Sequence, residues 1–590
     1  MDPLGREAAD RPAQRRASPG ARPLRRAAAE HRAADAVAPR GAVDRRPAPG
    51  RARTYRVGPP GRCGGVGAAT AMPGQGPLRC GRSGASGAAE RGVSGRDTAD
   101  VAVVGTGVVG LATAHELLTR GLSVAVLGPP PAAACGQASA AAGAMLSLFA
   151  EVDATQPAER VDLEVGQRLK AFARYPAWVS GLAAVSGRPP VPLIAGTWVV
   201  ADDDARKDVA AIAGAARAAS HPAELHHGAD VDGLQPDVAA AVVLWLPTEP
   251  SLDITRLLTT LDAAVFAHRN ARWYDSPVTD VTPDQATVRL RRGDEAVVTC
   301  GQVVLAAGAG IPVLLGERGR DLGVPPVLAG RGVSMLVGTP LAAPHTIRTP
   351  NAAFACGTHL VPRAGGVAYL GATNRLTLAP KLDGAATLDE VAVLIGDAAC
   401  IIDHRLAGAE LLRTQVGYRP YTLDHLPLIG PTADPRILLA TATYRCGVLL
   451  APLLAELLAD EITDPGSLAC HPYRANRPMP VPQLGDLLNP ATLRGLADHL
   501  AGTSRHRGRN RQRQLAAVLA ASLPALLARH DPIRKAAARL LARAPVAEVL
   551  PSLLALAERL EARPCPTTSP IPSPRSSTPL RPSDLTVPAT

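Results

Sequence analysis

The sequence predicts an α/β fold: a doubly wound domain with parallel central strands, a largely antiparallel sheet inserted into it, and a helical appendage towards the C-terminal end. Three observations carry that reading. A short apolar run, DVAVVG from Asp100, leads into an amphipathic stretch, VVGLATAHELLTRG, and then into a second apolar run, LSVAVLG. From there to about residue 465, strand-like and helix-like segments alternate without an internal repeat. Strand patterns dominate the middle of the chain and partly alternate, which marks antiparallel pairing.

Composition bounds the function. Of 590 residues, 46% are apolar and 19% charged, so a large core is affordable and wholesale disorder is excluded. No window approaches 18 unbroken apolar residues, which excludes a membrane-spanning helix. The net charge of +11 divides into +10 over residues 1–100, +9 over 501–590 and −8 over the centre. An acidic folded centre argues against nucleic acid as a partner. Nine scattered cysteines show no metal spacing and no compact disulfide framework. Reduced thiols and a cytoplasmic location are expected, since no arginine doublet near the start precedes an apolar segment.

Along the chain, residues 1–97 are rich in Arg, Ala, Pro and Gly, hold one aromatic (Tyr55) and lack a hydrophobic period. They cannot bury enough surface to offset their ordering entropy, and disorder is expected. The folded unit is expected over 98–465. Its strands include 192–200 (PLIAGTWVV), 286–292, 302–308, 332–337 and 366–373, and its helices include Leu388–Ile402 and Val448–Ile462. Residues 466–514 read as a Pro-rich and then basic linker. Residues 515–562 read as two or three short Ala/Leu helices broken by prolines, and 563–590 as a disordered Pro/Ser/Thr tail. The apolar spacing of those helices calls for a cover, either a second copy of the chain or another protein, and does not choose between them.

The chemistry begins at Gly105-Thr106-Gly107-Val108-Val109-Gly110, a GxGxxG between the first strand and its helix. The first glycine permits the tight turn, the second lets the backbone approach a pyrophosphate, and the third lets helix and strand pack closely. The helix N-terminus then faces phosphate charge. The second strand ends at Leu127-Gly128-Pro129, without the acid that binds an adenosine ribose, and this counts against NAD.

These segments, with ASAAAGAML (138–146), VVLAAGAG (303–310), THLVPRAGGVAYLGAT (358–373), GYRPYTLDHLPLIGP (417–431) and ATATYRCGVLLAP (440–452), resemble the FAD-dependent D-amino-acid oxidase superfamily. They are most similar to its glycine oxidase branch, which is associated with thiamine biosynthesis. The resemblance implies a glutathione-reductase-type FAD domain over about 98–175, 250–325 and 410–465, and a substrate domain over about 176–249 and 326–409. It implies non-covalent FAD, since the position of a covalent cysteine in sarcosine oxidases is Gly417 here. Cofactor contacts would come from Gly105, Gly107, Val108, Val109, Gly110, Ser139, Ala142, Gly143, Ala144, Val278, Gly308, Thr443, Tyr444, Cys446, Gly447, Val448 and Leu449. Arg419 would hold a substrate carboxylate, with Arg445 and His359 beside the substrate. His359 stands where glycine oxidases have Tyr, and Cys446 where they have Asn, so the exact substrate is not inherited. The implied reaction oxidises a small amino acid or N-substituted glycine with dioxygen, without a metal. A dehydrogenase of the same fold, or a flavin-binding protein without activity, are the alternatives.

The physical case for Arg419 also stands alone. A carboxylate in a partly desolvated pocket needs a permanently charged, bidentate partner, and the Arg-Pro pair before a turn fixes the backbone that aims it.

Overall fold

The structure is a computed structural model. It describes residues 97–478, apart from 132–134, 155, 203–204, 228–230, 232–233, 235–241, 290–294, 326, 340, 342, 352–356, 378–379, 381–383 and 423. The expectations for residues 1–96 and 479–590, including the basic run and the Ala/Leu helices, fall outside the described residues.

Two sheets form, with elements numbered along the chain. The first places β17 (Leu428–Pro431), β18 (Ile437–Thr441), β10 (Glu295–Leu305), β1 (Asp97–Val104), β2 (Val124–Leu127) and β7 (Ala271–Tyr274) side by side in that order. From β18 to β7 every pairing is parallel, and β17 closes one edge antiparallel. The hairpin of β8 (Val278–Thr282) and β9 (Gln285–Arg289) adds to β10. The second sheet runs β3 (Gly136–Gln137), β16 (Glu410–Tyr421), β11 (Leu328–Gly338), β14 (Val367–Gly371), β13 (His359–Pro362), β12 (Thr346–Arg348), β4 (Thr197–Ala201), β6 (Val242–Leu246) and β5 (Glu224–His226), with β15 (Arg375–Thr377) also on β11. The helices are α1 (Val108–Thr119), α2 (Ala158–Ser186), α3 (Arg206–Ala218), α4 (Ile254–Ala267), α5 (Ile311–Leu315), α6 (Arg318–Asp321), α7 (Leu388–Ile401) and α8 (Gly447–Thr463).

Period-two alternation decides what each strand faces. In β1, Val101 and Val103 pack with α1, α2, α4 and α8, while Ala102 and Val104 pack with Val281, Ala286 and Ile311 on the opposite face. Strands buried on both faces read as continuous apolar runs, which is why β1 and β2 were legible. In the second sheet, Val333, Met335 and Val337 of β11 and Ala368 and Leu370 of β14 pack under Leu394 and Ala398 of α7. The intervening residues Gly332, Tyr369 and His359 line a cavity on the other face. Buried apolar surface contributes roughly 25 cal/mol per Å², so both faces of β1 matter to stability.

Three expected boundaries move. Residues 410–421, expected within the cofactor half, form β16 and pair along β11 in the second sheet. Of the strand expected at 192–200, only Thr197 onward joins a ladder. Gly196 has φ +81, and a Cβ there would lie 1.8 Å from the Trp245 ring, so the chain turns before it extends. Past residue 465 the chain stays on the domain. Ile429 N–H donates to Tyr473 O (2.9 Å), Ala475 N–H donates to Ile429 O (2.8 Å), and Arg477 pairs with Asp424 at 2.7 Å. Residues 466–478, expected at the start of the linker, therefore pack on the folded unit.

Candidate active site

A cavity of about 290 Å³ opens at the C-terminal ends of β1, β10 and β18 and runs to the inner face of the second sheet. Ligands gather at such strand ends because loops and helix N-termini converge there. The turn after β1 is built by glycine. Gly105 has φ +118, and a Cβ on it would lie 2.4 Å from Ala306 O. Gly110 packs behind the turn, where a Cβ would lie 2.1 Å from Gly105 O. Gly107 caps α1, and the Val108 N–H at its first turn donates to Ser139 Oγ at 3.0 Å.

The other predicted positions gather on this cavity with two exceptions. Gly105, Gly107, Val108, Val109, Ser139, Ala142, Gly143, Ala144, Gly308, Thr443, Tyr444, Cys446, Gly447, Val448 and Leu449 line it, as do Arg419, Arg445 and His359. Gly110 stands behind the lining. Val278 is off the cavity: it begins β8 opposite Val288 and packs at the edge of the core beyond the sheet. In the small-residue loop Ala144 has φ +54, and its carbonyl accepts from Leu252 N–H. At the end of β2, Gly128 has φ +137 and its carbonyl accepts from Trp273 Nε1 at 2.9 Å. Only glycine takes that backbone readily, so the missing acid is a consequence of the turn.

At the far end of the cavity, the Arg419 guanidinium lies flat over Gly332, where a Cβ would come within 2.2 Å of Nη1. Nη1 donates to Thr373 O (2.9 Å) and to Asn374 Oδ1 (3.1 Å), both neutral acceptors. Beside it His359 is buried and stacks on Tyr369 at 5.6 Å. Its Nδ1 lies 2.8 Å from Gly357 O, which can only accept, so the proton sits on Nδ1 and Nε2 keeps its lone pair. Burial lowers its pKa to about 3, so the ring is neutral at physiological pH. Arg363, just past β13, donates to Gly143 O at 3.0 Å and ties the small-residue loop to that strand.

Sequence reasoning missed the acid that organises this end. Glu151 is buried and lines the cavity. Its Oε2 meets Arg445 Nε at 2.9 Å and its Oε1 meets Arg348 Nη1 at 2.9 Å. Asn351 Nδ2 adds a third donor at 3.2 Å, and Arg348, fully buried, also reaches Ser147 Oγ and Asn351 Oδ1. Burial alone would raise the carboxyl's pKa, but Arg445, Arg348 and Arg168 outweigh it and hold the group at about 2. Cys446, next to Arg445, is a half-buried thiol whose pKa desolvation pushes up, which does not fit a reactive thiolate. Among the described residues no cluster of His, Cys, Asp and Glu could hold a metal ion, and no helix is long and apolar enough to cross a membrane.

Residues 100–461 match the family described as FAD dependent oxidoreductase, DAO. The chain belongs to this family. It is 27% identical over 385 residues to the bifunctional protein ThiO/ThiG of Trichormus variabilis, covering 62% of this chain and 53% of that protein. It is 27% identical over 366 residues to the glycine oxidase of Geobacillus kaustophilus, covering 61% of this chain and 92% of that one. The chain thus spans about half the length of the bifunctional curated relatives it matches. Among solved structures, that of the Geobacillus kaustophilus glycine oxidase aligns with a TM-score of 0.55 at 24% identity, over 65% of this chain and 100% of the other. Iminodiacetate oxidase from a Chelativorans species aligns at 0.51 and 18% identity, over 62% and 95%. At such identities the structural likeness carries the fold. As a member of the family the chain is an FAD-dependent oxidoreductase, and the cavity fits that cofactor: its walls at Gly105, Gly107 and Gly417 are places where a side chain would meet neighbouring atoms at 2.4 to 3.2 Å.

Proposed function

We propose that this chain is an oxidase of a small amino acid or N-substituted glycine, with Arg419 as the carboxylate anchor. The observation that carries this is the guanidinium spread over Gly332 on the cavity wall, with only neutral acceptors on it among the described residues. A charged fork in that setting is completed by an anion. When bound, FAD supplies the two-electron acceptor for oxidation of the substrate's Cα–N bond and passes the pair to dioxygen, giving peroxide. The Gly105–Val109 turn and Ser139 would hold its phosphates, the 142–144 loop and Gly308 its linking chain, and the N-terminus of α8 at Gly447–Leu449 its ring. With glycine at 417, attachment is non-covalent.

The chain's own groups bind and orient. Arg419 fixes the carboxylate. Glu151 fixes Arg445, whose guanidinium stacks 4.9 Å from the Tyr444 ring. Neutral His359 presents an acceptor, not a proton, so it orients an amine N–H without serving as an acid. The product imino acid then hydrolyses in water to an oxo acid and ammonia or an amine. Glycine heads the candidate substrates and thiamine supply the candidate roles, a reading supported by the likeness to proteins named glycine oxidase and ThiO/ThiG, and the His359 and Cys446 differences keep a secondary amine in view.

The test screens glycine, sarcosine and iminodiacetate for anaerobic bleaching of the flavin, then follows oxygen uptake with the responder. Bleaching without oxygen uptake would mark a dehydrogenase. With that substrate, Arg419→Ala is expected to lower kcat/KM by about 30- to 1000-fold with FAD retained, because a charge-assisted contact of about 2–4 kcal/mol is lost. An unchanged kcat/KM would remove Arg419 from the carboxylate site.

A further inference from the structure

Alternate residues of one strand are glycine where the pocket needs room. On the cavity face of β11, Gly332 lies under the Arg419 guanidinium, and Gly330 lies under the Asn374 amide, where a Cβ would come within 2.4 Å of Oδ1. Gly330 is the ladder partner of Arg419 itself. The two polar groups therefore lie side by side on a glycine floor, in van der Waals contact with backbone. Asn374 is 4% exposed, so its amide has few orientations open to it.

The amide's orientation is fixed by what it touches. Its oxygen accepts from Arg419 Nη1 at 3.1 Å, and guanidinium has donors only. Its nitrogen donates to Tyr444 Oη at 2.9 Å. Tyr444 is held in turn, with φ +48, its N–H bonded to Pro420 O, and its ring against Tyr421, His425 and Arg445. A continuous chain of contacts thus joins the two pocket arginines: Arg419, Asn374, Tyr444, Arg445.

We propose that Asn374 is a positioning residue that locks the Arg419 fork for a substrate carboxylate and couples it to the Tyr444–Arg445 corner. This rests on the reading of Arg419 as the carboxylate anchor. Asparagine is suited to the task because it is neutral. It orders the guanidinium by a hydrogen bond but leaves its charge for the substrate. An aspartate of the same shape would take the charge itself and repel the incoming anion.

The experiment titrates the FAD-loaded, full-length enzyme with acetate and reads the perturbation of the flavin's visible absorbance, with melting temperature and FAD content as structural checks. Asn374→Asp is expected to weaken acetate binding by roughly 30-fold or more, with both checks near wild type. Asn374→Ala leaves the fork charged but loose, and is expected to weaken it by about 3- to 10-fold, the cost of ordering one long side chain on binding. Tyr444→Phe removes only the oxygen that orients the amide, and about 2- to 5-fold is expected. It keeps the test decisive should the Asn374 variants fail to fold. Wild-type acetate affinity in these variants, with affinity lost in Arg419→Ala, would overturn the role of Asn374 and leave the anchor standing. Wild-type affinity in Arg419→Ala would overturn both.

Discussion

Two carboxylates three strands apart in sequence meet in one loop and are driven in opposite directions. Glu151 is held ionised by its arginines, at about 2. Glu249, fully buried, accepts at Oε1 from the Phe149 and Ala150 N–H groups, while Oε2 has no hydrogen-bond partner among the described residues. Burial raises it to about 7. Glu151, lowered, adds stability that is present above about pH 4.5 and lost as pH falls towards 2. Glu249, raised, carries a penalty that builds as pH rises from about 4.5 through 7. A shift of this size corresponds to about 3 kcal/mol in each case. Glu249→Gln keeps the oxygen that caps the two amides and removes the titration. It is expected to leave stability at pH 5 nearly unchanged and to raise it by about 3 kcal/mol at pH 8, measured by urea unfolding of the holoenzyme. An equal change at both pH values would mean that Glu249 does not titrate in this range. Neither acid was legible in the sequence. Arg348 lies 197 residues from Glu151, and no spacing rule connects a loop residue with a partner on a strand so far along the chain.

At the scale of elements, the strand–turn–helix that opens the fold was the part most fully written in the sequence. Its two apolar runs, its helical period and its glycines all specify one local geometry. Gly105→Ala tests it, since the added methyl would meet Ala306 O in a backbone conformation unfavourable to alanine. FAD affinity is expected to fall roughly tenfold or more, read as the flavin-to-protein ratio in the supernatant after acid precipitation. For the wild type that supernatant should hold all the flavin, and yellow pellets would refute non-covalent binding. β16 shows the opposite case. Its GYRPY segment is expected in the cofactor half on the resemblance, yet the strand belongs to the second sheet. Period two tells which residues share a face and not which strand lies alongside. The glycines of β11 carried no functional signal in the sequence, and the positions of Arg419 and Asn374 show them as a floor.

For the whole molecule, the clasp after α8 carries the folded unit on to Arg477. Arg477 is nearly buried and donates to both oxygens of Asp424 and to the carbonyls of Leu426 and Pro427, just past the strand that carries Arg419. Leu468 is buried beneath Gly430, where a Cβ would lie 2.8 Å from it. A chain ended after residue 478 is expected to keep the stability of the 590-residue chain. One ended after 465 should lose at least about 3 kcal/mol, since Asp424 is left buried without its guanidinium. Thermal melts of the two truncations compare them directly, and equal melting temperatures would show the clasp to be idle. The composition shift at residue 465 marked the end of a helix, and the buried ion pair beyond it carried no pattern that a single chain displays.

The parallel order of the first sheet also sets a timetable for synthesis. β1 finds β2 almost at once, but its other neighbour, β10, lies about 200 residues further on, and β18 follows after about 130 more. At about 5–20 residues per second, one edge of β1 waits on the order of 10–40 s for its partner. Throughout that interval the nascent chain carries an apolar strand with an open edge, and it must be shielded by the ribosome, a chaperone or its own helix α1 until β10 emerges.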